Sequence, residues 1–140
     1  TAEQEADIDL AIRAATAIGA LDIGQGAVAC RGVVLALEAA EGTDRMLERV
    51  AMLPQEMRGN GVRREGVLVK LSKPGQERRV DLPTIGVKTV ENVAAAGLAG
   101  IAVEAGGALI VDGEAVARAA NKAGIFVAGI GRDRIDRACR

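Results

Sequence analysis

AVACRGVVLALEA, residues 27–39, decides the fold class. Two short apolar runs flank the dipeptide Arg31-Gly32, so the segment reads as a β-hairpin about a two-residue turn. Upstream, Ile8, Ala11, Ile12, Ala15 and Ile18 recur at helical spacing, which predicts a helix over residues 5–18 with Gly19 as its stop. Downstream, Thr43 suits an N-cap and Asp44 a first helical turn, because both favour the exposed N–H groups there. That helix is expected to run from Asp44 to about Met57, with Pro54 bending or ending it. Strand, turn, strand and helix in this order are not a regular βαβα alternation. We therefore expect one α/β domain: a mixed β-sheet with β-hairpins and packed helices, rather than a purely doubly wound sheet.

Further along, residues 58–65 (RGNGVRRE) read as a polar, flexible loop. In residues 67–72 the apolar Val67, Val69 and Leu71 alternate with Leu68, Lys70 and Ser72, a strand period that puts Lys70 and Ser72 on one face. Pro74-Gly75 is a turn. Residues 76–81 read as a short strand ended by Asp81, before Leu82-Pro83. A helix is expected over residues 87–96, behind Gly86 and with Gly97 near its C-cap. GIAVE (100–104) and ALIVD (108–112) suggest a second hairpin centred on 105–107, a weak echo of the first. Residues 114–123 read as a helix and 125–130 (IFVAGI) as a last strand. Arg132, Arg134, Arg137 and Arg140 alternate with Asp133 and Asp136 and read as a solvated end.

Composition removes several functions. A chain of 140 residues makes one domain with a core large enough to fold. Its net charge of −1, from 18 basic and 19 acidic residues, supplies no field for nucleic acid. The absence of histidine removes Ser–His and Cys–His nucleophiles and histidine-containing zinc sites. Phe126 is the sole aromatic residue, so stacking on bases is not expected. Cys30 and Cys139 form no C-x-x-C and read as free thiols in a reducing cytoplasm. No apolar run approaches the roughly 18 residues of a membrane span. The sequence starts without methionine and directly in helix-like residues, so a longer polypeptide is expected around it.

The remaining motifs point to phosphate. Residues 24–29 match G-x-G-x-x-A, but that loop must follow a strand and open a helix, and here it does the reverse. It reads as a glycine turn from which Asp22 and Gln25 could face a ligand. Glu38, Glu41 and Asp44 are oxygen donors spaced to hold Mg²⁺, with helix capping and solvation as the plain alternative. Lys70, Lys73, Arg78 and Arg79 could neutralise phosphates, or simply protect a sheet edge. Asp81 ends a strand beside the helix start at residues 86–89, where N–H groups suit an anion; a turn-stabilising role is its alternative.

Several blocks then occur in a characteristic order: DIGQ (22–25), EAAEGTD (38–44), GVLVK (66–70), KPGQ (73–76), DLPTIG (81–86), KTVE (88–91), AGLAGIAVEAG (96–106) and AGIFVAG (123–129). In them the chain resembles the C-terminal domain of the UDP-2,3-diacylglucosamine pyrophosphatases of lipid A biosynthesis, the type unrelated to calcineurin-like phosphoesterases. The resemblance implies a Mg²⁺-dependent hydrolase that yields UMP and 2,3-diacylglucosamine 1-phosphate (lipid X). It implies an N-terminal domain as partner, a substrate held between the two domains, and a chain that is inactive alone. It also implies a cytoplasmic enzyme with peripheral contact to the inner membrane and the option of a homo-oligomer. Asp81 falls on the family's key acidic position, associated with metal and needed for hydrolysis. Lys70, Lys73, Gln76, Thr84 and Thr89 fall among its substrate or metal-shell contacts. Val87 departs from the pattern, where proline is expected to start the helix. The rival readings are a non-catalytic nucleotide or sugar-phosphate binding module, and a structural or oligomerisation domain.

Overall fold

The computed structural model describes residues 1–74 and 82–140. Among them the chain runs α1 (Ala2–Ala20), β1 (Gly26–Cys30), β2 (Val33–Leu37), α2 (Thr43–Met52), β3 (Val67–Lys70) and β4 (Thr84–Ile85). It continues through α3 (Val87–Ala95), β5 (Gly100–Glu104), β6 (Leu109–Ile110), α4 (Gly113–Ala123), β7 (Phe126–Ile130) and α5 (Arg132–Ala138).

The hairpin forms as expected. β1 and β2 pair antiparallel, and Arg31 and Gly32 both take positive φ (51° and 77°), the backbone a tight hairpin turn requires. The buried carboxylate of Asp7 in α1 grips that turn. It accepts the N–H of Arg31 at 2.9 Å and of Gly32 at 2.8 Å. The pairing passes from Ala36 to Val34, so Leu35 is an extra residue that bulges β2.

β1 also pairs antiparallel with β3, and β3, β5 and β7 then follow in parallel, giving the order β2-β1-β3-β5-β7. The sheet is mixed, as the hairpin implied. Both crossovers, β3 to β5 and β5 to β7, step the same way along the sheet. Connections of one hand therefore put α3 and α4 on one face, where they pack on each other. α2 joins them over Val28, Leu68, Ile101 and Val103. α1 and α5 cover the opposite face, over Ala27, Ala29, Val67, Val69 and Ala102. The alanines on that face, with Ala11 and Ala15 of α1, are small enough for the helix to lie close. Gly100 is required where β5 meets β7, because a Cβ there would overlap the ring of Phe126.

Several expectations need correction. No second hairpin forms about residues 105–107. β5 already has β3 and β7 on its two edges, so the chain leaves the sheet and β6 pairs in parallel with β4 in a separate two-stranded sheet. The internal echo fails with it. α2 begins at Thr43 behind Gly42 and ends at Met52, short of Pro54; Thr43 is its first residue rather than its cap. α1 continues through Gly19 to Ala20. Residues 58–65 are anchored: Arg58 donates to the carbonyls of Ala51, Leu53, Gly59 and Ala96, and Arg31 pairs with Glu65. The arginine-rich end is helical, with Ile135 buried and Arg134 paired to Glu5 and Asp9 of α1. The strand expected over residues 76–81 lies outside the described residues.

The two carboxylates of α1 should differ sharply in worth. Asp7→Ala leaves two turn N–H groups without their partner and should cost about 2 kcal/mol. Asp9→Ala removes a partly exposed ion pair and should cost less than about 1 kcal/mol. Urea denaturation of both variants checks this, with a larger midpoint shift for Asp7→Ala.

Candidate phosphate-binding cleft

β2 and β3 both run antiparallel to β1, so β2, β3, β5 and β7 all end at one edge of the sheet. The helices that follow strands begin there. In open α/β sheets this is the edge where ligands bind.

Lys70 is the last residue of β3, and it is only 7% exposed. Its Nζ donates to the carbonyl of Thr84 at 2.9 Å. Burial pushes its pKa below the usual lysine value, while the carboxylates of Glu38 and Asp44 pull it back up. Glu38, 8% exposed, accepts the N–H of Gln25 at 3.2 Å and the hydroxyl of Thr43. It thereby ties the start of β1 to the start of α2. The glycines of the 24–26 turn serve this packing. A Cβ on Gly24 would overlap the Glu38 carbonyl, and one on Gly26 would crowd its carboxylate at 3.3 Å.

α3 begins behind Gly86. Thr89, in its first turn, accepts the Gly86 N–H through Oγ1 at 3.1 Å, which leaves its own proton available to an acceptor. No acidic residue sits in that turn, so the positive end of the helix is not neutralised there. Thr84 donates to the carbonyl of Leu82 at 3.0 Å. Around this point lies a cleft of about 360 Å³, bounded by Glu41, Asp44, Lys70, Thr84, Lys88 and Thr89. Five residues singled out from the sequence therefore converge on one cleft.

Among the described residues, Lys73, Asp22 and Gln25 are not in its lining. Lys73 pairs with Asp22 at 2.8 Å, outside the lining of this cleft. The main chain of Gln25 is held in place, its N–H donating to the Glu38 carboxylate and its carbonyl accepting Leu71 N–H at 2.9 Å. Lys70 and Ser72 do not share a face either. Ser72 lies beyond β3 and donates through N and Oγ to Glu104, which also accepts from Arg132 at 3.2 Å. Sequence reasoning missed this Glu104 group, although a carboxylate ending a strand was the signal used for Asp81. Asp81 and Gln76, like Arg78 and Arg79, lie outside the described residues.

The cations and helix N–H groups that line the cleft suit a phosphate ester. Its carboxylates bear on the expected Mg²⁺. Glu41 pairs with Arg49, and Asp44 accepts from Asn92 at 2.9 Å. Among the described residues no group of three His, Cys, Asp or Glu could hold a metal ion by itself. Mg²⁺ commonly takes one or two carboxylates together with substrate phosphates, so a full set of protein ligands is not required of such a site.

An α/β domain with an anion-suited cleft at its strand ends is the class these features define. The chain belongs to the LpxI C-terminal domain family, whose model matches residues 1–128. It is similar to the UDP-2,3-diacylglucosamine pyrophosphatase LpxI of Caulobacter vibrioides, at 62% identity over 128 residues, which are 91% of this chain and 46% of that protein. The chain thus spans less than half the length of that relative. No helix among the described residues is long and apolar enough to cross a membrane.

Lys70 sets a pH test. Its lowered pKa means that the ammonium is lost at a pH below about 10.4, where an ordinary lysine titrates. Pyrophosphate affinity, followed by calorimetry upward from pH 7, should fall through that lowered value. Lys70→Met should bind more weakly at pH 7 and lack this alkaline limb.

Proposed function

We propose that this chain is the C-terminal part of a two-domain, Mg²⁺-dependent hydrolase. Its substrate is UDP-2,3-diacylglucosamine, cleaved at the pyrophosphate to UMP and 2,3-diacylglucosamine 1-phosphate in lipid A biosynthesis. The observation that carries the reading is the convergence of Lys70, the start of α3 and two rim carboxylates on one cleft, in a domain of this family. The name of the Caulobacter relative supplies the substrate.

In this reading Lys70 and the first N–H groups of α3 hold non-bridging phosphate oxygens. The charge is fixed in place beforehand and gains strength from low local dielectric. Thr89 adds its hydroxyl proton, and the exposed Lys88 draws the anion toward the cleft. Lys73, Gln76, Asp22 and Gln25 supply further contacts to the substrate. Glu41, Asp44 and Asp81 would hold Mg²⁺, which when bound supplies a Lewis acid for phosphoryl transfer to water. Asp81 is the residue on which hydrolysis depends. The N-terminal domain forms the second wall and excludes water from the site. The enzyme works in the cytoplasm against the inner membrane, where its lipid substrate resides.

Asp81→Ala in the two-domain protein should fold normally and lose at least about a hundredfold in turnover. UMP release with Mg²⁺ present is the measurement, and near wild-type turnover would remove the catalytic role. Residues 1–140 alone should hydrolyse negligibly, because misplacement by about 1 Å can cost a hundredfold in rate. Full activity of the isolated chain would place the whole site within this domain.

A further inference from the structure

The cleft has an apolar lip whose exposure its own domain does not explain. Leu109, Ile110 and Val111 are consecutive, and they are 50%, 41% and 53% exposed. Leu109 and Ile110 form β6 and so point to opposite faces, and Val111 follows in the turn before α4, so the three together make a ridge open on both sides. The ridge is held firmly from behind. Leu109 N–H donates to the carbonyl of Pro83 at 2.9 Å, and Val111 N–H to that of Ile85 at 3.0 Å. Its end is capped by Asp112, which accepts Ala115 N–H at 3.2 Å and starts α4. An anchored backbone with bare aliphatic side chains is a built surface. Val111 belongs to the wall of the cleft that also holds Lys70 and Thr89, so apolar ridge and cationic cleft are continuous.

A polar cleft running into an apolar ridge fits an amphiphile: a phosphate ester with aliphatic chains close to the phosphate. We propose that Leu109, Ile110 and Val111 carry the acyl chains of the substrate and set the preference for an acylated sugar nucleotide. This rests on the function proposed above, and it goes further by assigning the lipid portion to β6 and the residue that follows it. A free nucleotide sugar would leave the ridge in water, whereas acyl chains laid on it remove apolar surface on both sides.

The test uses the two-domain protein carrying Leu109→Ser with Ile110→Ser, two residues outside the lining of the phosphate cleft. Thermal unfolding confirms folding, and Leu109→Met with Ile110→Met serves as the apolar control. UMP release is followed from the diacylated substrate and from UDP-glucosamine, which has the same pyrophosphate and no chains. The serine variant should show roughly a tenfold rise in KM for the diacylated substrate alone, as expected for losing aliphatic contacts. The methionine variant should stay near wild type, and cleavage of UDP-glucosamine should be the same in all three proteins. An unchanged KM for the diacylated substrate overturns the assignment. So does an equal loss on both substrates, which would mark the ridge as a contact for the N-terminal domain. If wild type releases no UMP from either, the pyrophosphatase reading fails, and binding alone decides the ridge. Dihexanoyl phosphatidic acid should then shift the methyl resonances of Leu109, Ile110 and Val111 while glycerol 3-phosphate leaves them unmoved; equal shifts, or none, overturn it.

Discussion

A buried ammonium organises one end of this domain. β3 is the strand at which the sheet changes from antiparallel to parallel pairing, and each of its residues is buried. A strand so enclosed is expected to be apolar throughout, yet it ends in Lys70. An unpaired charge in that position would cost several kcal/mol. Its surroundings answer that cost: the Thr84 carbonyl accepts from Nζ, and Glu38 and Asp44 supply opposite charge. Thr84 is fixed in turn by the pairing of β4 with β6, and Glu38 by Gln25 and Thr43. The cleft is the set of elements that keep Lys70 charged inside the fold. A cation held this way needs little reorganisation on meeting a phosphate, which makes it an economical basis for the proposed chemistry.

The same constraint explains the glycine turn that imitates a dinucleotide motif. Gly24 and Gly26 let the β1 backbone and the end of β2 approach each other around Glu38. The bulk that is missing at these positions makes room for a carboxylate of the protein itself. Similar sequence patterns can therefore arise when a backbone must come close to a ligand and when it must come close to a buried acidic side chain.

Much of the architecture is legible along the chain because it is local. The 27–39 hairpin follows from two short apolar runs about a turn, and helices α1 to α4 follow from apolar spacing, whereas α5 does not. The second hairpin was misread because locally GIAVE, a glycine turn and ALIVD have the same grammar as the first. What differs is non-local: β3 and β7 already occupy both edges of β5, and no property of residues 100–112 announces it. The cleft was legible to the same degree. Lys70, Thr84, Thr89, Glu41 and Asp44 lie on the strand end and helix starts that topology brings together. Lys73 and Asp22 sit close to that edge in sequence, but they pair with each other instead. Glu104 carries the same strand-end signal as Asp81, but its partners Ser72 and Arg132 reach it only through tertiary packing.

The extra residue in β2 bears on how the protein behaves in a crowd. β2 is the outer strand of the sheet, and Val33, Val34 and Leu37 are exposed along it. A straight strand of that composition would be a template on which another chain could extend the sheet. Leu35 interrupts the regular spacing of donors and acceptors and strengthens the local twist. An incoming strand can then match only part of the edge. The hairpin is also the first part of the sheet to leave the ribosome, ahead of every strand that will pair with it in parallel. A bulge built into that early element guards against aggregation at the stage when the chain has least core to hide its apolar residues.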